Sequence, residues 1–174
     1  WSGYAVDGDP CRIEPWIRAR KDDKFLNVMI KDSEIQDCQS LKGDSLNNFY
    51  MFEASALNTS NKARAFDLVN KGMKLDKVLQ IESLTLLQLA KRILANTPSF
   101  KPDIVSIDLE QTNILPDLPE FLTMLKFPEL ICLEWISEGY SLNNYQSSPE
   151  FEIFNSVGYE IKALIGGNIF AYKI

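Results

Sequence analysis

The stretch that decides the fold runs from Pro102 to Leu115 and reads P-D-I-V-S-I-D-L-E-Q-T-N-I-L. Ile104, Val105 and Ile107 form a short apolar, largely β-branched run, opened by Pro102 and closed by two carboxylates, Asp108 and Glu110. Such a run suits a strand buried on both faces, as in a parallel sheet. Ligands of open α/β sheets sit at the carboxyl ends of these strands. Acidic side chains there are costly to bury without a partner, which makes Asp108 and Glu110 the leading site candidates. The plainer alternative is that both simply open a loop and cap the next helix.

Outward from this stretch, strands and helices alternate. Residues 4–7, ending in Asp7, and 25–30 (F-L-N-V-M-I) read as strands of one parallel-dominated sheet, together with 103–108 and 130–136. Asn48 to Glu53 and Leu75 to Ser83 read as further strands. Between Cys11 and Lys24, Ile13, Trp16 and Ile17 recur at helical spacing, with Trp16 and Trp135 expected in the core. Ser60 or Asn61 caps a helix from Lys62 to about Lys71, stopped by Gly72. Thr85 leads into an amphipathic helix that ends before Pro98; shorter helices follow near 120–126 and 149–157. Gly166-Gly167 joins two closing strands into a hairpin. Residues 33–47, 54–61 and 139–148 are polar loops. The order indicates one α/β domain over residues 1–174 with a C-terminal antiparallel hairpin.

Composition bounds the function. The 174 residues are 45% hydrophobic and 24% charged, enough for a real core. A net charge of −6, from 18 basic and 24 acidic residues, argues against nucleic acid as the main partner. No apolar run is long enough to span a membrane, and no signal-peptide pattern is read at the start. Three widely spaced cysteines, Cys11, Cys38 and Cys132, show no metal spacing and fit a reducing, cytoplasmic setting. There is no histidine, which removes Ser-His-Asp and Cys-His catalysis and imidazole metal ligands.

Several segments recur in the order of a known family: W-S-G-Y-A-V-D-G-D-P, F-L-N-V-M-I, F-Y-M-F-E-A-S-A-L-N-T, L-T-L-L-Q-L, D-I-V-S-I-D-L-E, L-I-C-L-E-W and G-Y-E-I. Together they resemble FkbM-type S-adenosylmethionine-dependent methyltransferases over nearly the whole chain. The resemblance implies a Rossmann-like methyltransferase sheet and O-methylation of a sugar, glycan or other hydroxylated small molecule. Asp7 falls where the family places its ribose-binding acid, and Asp9 follows it on the same turn. Asp108 and Glu110 fall on the acidic pair of its D-V-E-G-type motif, whose glycine is Gln111 here and whose second acidic position is Asn113. The resemblance also implies a first strand and glycine-rich turn upstream of Trp1, between the strands ending in Asp7 and Asp108.

Methyl transfer from a sulfonium is an in-line displacement, so positioning and exclusion of water dominate. Without histidine a carboxylate must take the acceptor's proton, and Asp108 is the best placed. Alternatively Asp108 and Glu110 hold a hard divalent cation through oxygen ligands. Glu134, late in the next strand, joins them as a substrate contact or is a buried Glu with a structural partner. Asn58 and Thr59, on a small polar loop, and Tyr140 are further substrate candidates. Two readings compete: a methyltransferase-like domain without catalysis, serving in binding or scaffolding, and a nucleotide-binding α/β domain of another activity, which the lack of a phosphate-cradling glycine loop disfavours.

Overall fold

The computed structural model describes residues 2–32, 45–109, 113–134 and 148–174. These fall into two compact units. The N-terminal unit comprises the described residues up to Ile30 and from Ser45 to Leu84, and the C-terminal unit comprises Lys31, Asp32 and the described residues from Thr85.

In the N-terminal unit, β1 (Tyr4–Val6) pairs in parallel with β2 (Lys24–Leu26). Between them lie a 3-10 turn over Pro10–Arg12 and helix α1 (Ile13–Ala19). No residue of α1 is buried, and Trp16, expected in the core, is exposed. The expected strand over 25–30 is broken. Val28 N–H donates back to Leu26 O, and β3 (Met29–Ile30) leaves for a different sheet. There β5 (Leu75–Leu84) is central, parallel to β3 and antiparallel to β4 (Ser45–Phe52).

β4 is buried on both faces near its end. Phe49 and Met51 pack with Met29 and Ile81 on one side. On the other, Tyr50 and Phe52 pack against Ala65 of α2 (Lys62–Asn70). That helix starts at the expected cap, with the Asn61 side chain accepting from Arg64 N–H, and Gly72 leaves it at φ 84°.

In the C-terminal unit a four-stranded sheet has the order β6-β7-β9-β8, with β6 (Ile104–Ile107), β7 (Leu130–Glu134), β8 (Tyr159–Ile165) and β9 (Asn168–Lys173). Only β6 and β7 are parallel; β9 runs against both of its neighbours. The closing hairpin is as expected, with φ 55° at Gly166 and 88° at Gly167. Helices α3 (Leu86–Asn96), α4 (Leu118–Met124) and α5 (Pro149–Ser156) complete the unit. Thr85 and Gln88 form a reciprocal capping box at the start of α3. Leu118, Leu122, Leu125, Ile131, Phe154, Tyr159 and Ile169 are fully buried. The Tyr159 hydroxyl donates to Pro128 O at 2.6 Å, and burial pushes its pKa up to about 12.

Two expectations about architecture are corrected. The described strands form three small sheets, one a two-stranded parallel pair and two of mixed direction, and do not join into a single parallel-dominated sheet. Pairing partners are set by tertiary contacts, which a run of apolar residues does not encode. β6 is also an edge strand among the described residues, with Ile104 and Ser106 exposed and Ile107 buried. Its run therefore marks a one-faced edge, not a strand buried on both sides.

The end of α4 is strained. Phe127 N–H bonds Leu122 O and Lys126 N–H bonds Thr123 O, a Schellman ending with Lys126 at φ 61° and Phe127 at φ 54°. An exposed lysine occupies the position that favours glycine. Lys126→Gly should raise stability by about 0.5–1 kcal/mol, read from urea unfolding, because relief of the left-handed strain outweighs the added chain entropy.

Candidate functional site

The geometry begins with β7. Ile131 and Leu133 are buried, so strand alternation sends Leu130, Cys132 and Glu134 to the other face, where all three are half-buried. β6 pairs in parallel from Ile104↔Leu130 to Ile107↔Leu133. The next pair in this register is Asp108 and Glu134, at the carboxyl ends of both strands. Burial first, then hydrogen bonding to and the like charge of the neighbouring Asp108, raise the Glu134 carboxyl above its ordinary value of 4.5. One Glu134 oxygen is buried without a hydrogen-bond partner among the described residues. The arrangement favours the protonated form of Glu134. Across β7 the row continues to Asn168, which pairs with Glu134 and accepts from Cys132 Sγ at 3.8 Å.

The second cluster lies in the N-terminal unit, where β1 ends in D-G-D-P. Asp7 N–H continues the ladder to Leu26 O, and its Oδ1 accepts from Asp9 N–H at 2.7 Å. The carboxylate is exposed, and its Oδ2 has no partner among the described residues. Asp9 differs. It is 4% exposed, its Oδ1 accepts from Cys11 N–H at 2.9 Å, and its Oδ2 accepts from Asn58 Nδ2 at 3.0 Å. Arg12 Nε lies 3.7 Å from that oxygen. Asn58 Oδ1 accepts from Phe52 N–H, while Thr59 is buried, bonds Tyr50 through both backbone groups and accepts from Asn61 N–H through Oγ1. Asp9, Asn58 and Thr59, expected to meet cofactor or substrate, thus commit their polar atoms to holding the unit together.

The structure brings together Asp108 with Glu134, and Asp7 with Asp9 and Asn58. Glu110, Gln111, Tyr140 and Trp135 lie outside the described residues. Asn113 donates its backbone N–H to Asp32 Oδ1 at 2.7 Å. Among the described residues no three acidic or cysteine side chains converge on a metal-sized site. A recess of about 480 Å³ lined by Glu14, Pro15, Arg18 and Ala19 holds none of the candidates. Sequence reasoning missed Asn27 and Asn168. Only for Asn27 was there a signal, a polar residue interrupting an otherwise apolar run. Cys11 and Cys132 are free thiols, and no helix among the described residues is long and apolar enough to cross a membrane.

No protein-family model, curated protein or solved structure matches the chain.

Two measurements check these roles. Asp9→Ala should destabilise the protein by about 2–3 kcal/mol in urea unfolding, because a buried charged acceptor is lost and two donors are left unpaired. For Glu134 the folded carboxyl holds its proton more tightly than the unfolded one. Its contribution to stability is complete below pH 4.5 and is lost as pH rises through the raised value. Glu134→Gln should remove that loss, so its stability advantage over the parent grows as pH rises from 4.5 through the raised value and then levels off, read from denaturant midpoints.

Proposed function

We propose that the protein is an S-adenosylmethionine-dependent O-methyltransferase acting on a sugar, glycan or other hydroxylated small molecule. The carrying observation is the Asp108–Glu134 pair, set side by side at the carboxyl ends of two parallel strands with one acid favoured in its neutral form. Asp108, exposed beside the half-buried Glu134, is the base of the pair in this reading. Asp108 takes the proton of the acceptor hydroxyl as its oxygen forms the new bond to the methyl carbon and the carbon–sulfur bond breaks. The cofactor supplies, when bound, an electrophilic methyl group. Asp7 suits its ribose, offering an exposed carboxylate with an open oxygen to two adjacent hydroxyl donors. A cytoplasmic setting accords with the free thiols Cys11 and Cys132.

A binding or scaffolding domain without catalysis is the second reading. It is favoured by the internal use of Asp9, Asn58 and Thr59, which leaves fewer groups to hold an acceptor.

Asp108→Asn separates the two. In the full-length protein this change should leave S-adenosylhomocysteine affinity nearly unchanged in calorimetry. Methyl transfer to a hydroxyl acceptor should fall by about 10²–10⁴-fold, since the carboxamide cannot take a proton. Normal turnover with Asn at 108 would remove Asp108 from the chemistry, and binding without turnover in the parent would favour the scaffold.

A further inference from the structure

We infer that Asn27 is a positioning residue that aims the Asp7 carboxylate at a vicinal diol. The inference rests on the reading of Asp7 as a ribose-binding acid and adds to it the device that holds the acid in place.

Asn27 sits where the chain passes from β2 to β3. Its Nδ2 donates to Asp7 O at 2.9 Å and to Gly8 O at 3.1 Å. Both carbonyls belong to the turn that carries the Asp7 side chain. The turn is held elsewhere too, by Asp7 N–H on Leu26 O and by Asp9, which is anchored to Asn58. Gly8 leaves it no slack. A Cβ there would lie 2.6 Å from Met29 Cγ, a buried side chain of the strand that follows Asn27. The turn is therefore pinned on its carbonyl side, its amide side and its packing side. The group left facing solvent is the Asp7 carboxylate, with Oδ1 already oriented by Asp9 N–H. A carboxylate held this way binds two hydroxyls without first losing rotamer freedom, which is how preorganisation raises affinity. Asn27 is also half-buried and bonded only to this turn among the described residues, so strand pairing alone does not account for its amide.

The test is a double-mutant cycle in the full-length protein, with S-adenosylhomocysteine and its 2′,3′-dideoxy analogue as probes and calorimetry as readout. Asn27→Ala should weaken S-adenosylhomocysteine by about threefold to tenfold, the span expected for one or two neutral hydrogen bonds, and leave the dideoxy analogue unchanged. In an Asp7→Ala background the same change should add nothing, because Asn27 acts through Asp7. Equal weakening of both probes, or losses that add across the two sites, would make Asn27 purely structural and overturn the inference. If Asp7→Ala leaves the preference for the diol intact, the reading of Asp7 fails, and the inference falls with it. Asn27→Asp keeps the shape and removes the donor. It should show the same selective loss, and serves if the alanine variant does not fold.

Discussion

Strand β7 imposes the constraint on which the C-terminal unit depends. It is hydrogen-bonded along both edges, to β6 and to β9, and its Ile131 and Leu133 are buried with Ala171 and Ile169 of the neighbouring strand. Because side chains alternate, burying those two residues obliges Cys132 and Glu134 to face the other way. A slip of one residue would send Glu134 into the core and Leu133 out, which burial forbids. The register that satisfies the core is thus the register that delivers Glu134 to Asp108. The acid pair follows from packing, and its cost in desolvation and like charge is offset by the core beneath it.

The N-terminal unit works by a different rule. Its candidate residues are organised by hydrogen bonds from side chain to backbone, through Asp7, Asp9, Asn27 and Asn58. Asp and Asn suit such turns because their short polar side chains reach backbone groups two residues away. In this network one acid is buried and its oxygens satisfied, and its neighbour is left open to solvent. Two aspartates a single residue apart therefore have separate jobs, one holding the unit and the other available to a ligand.

The two clusters lie in different units, and each is complete in its own geometry. The chemistry proposed here asks modest things of them. One must hold a diol and the other must accept a proton, and neither requires the histidine that the chain lacks. The carboxyl pair suits the second role because the two acids differ in their environments, with Glu134 half-buried and Asp108 exposed.

Local features were legible in the residues. Asn61 and Thr85 cap their helices, Gly72 ends one, and Gly166-Gly167 turns the final hairpin, because caps and turns depend on neighbours a few positions away. Alternation of helix and strand, and the carboxylates at strand ends in Asp7 and Asp108, were equally plain. Partner choice was not. The run from Phe25 to Ile30 looks continuous, yet the chain breaks at Asn27 because β2 finds β1 and β3 finds β5. Ile104 and Val105 suggest a central strand, yet β6 lies at an edge among the described residues because β7 takes β9 as its other neighbour. The difference between Asp7 and Asp9 was likewise invisible, since it turns on Asn58, far along the chain, reaching one carboxylate and not the other. Sequence by itself determined the elements, their ends and the chemical types at hand. Tertiary structure decided which strands meet and which acids are open to a ligand, because those depend on long-range pairing and burial, which no local pattern carries.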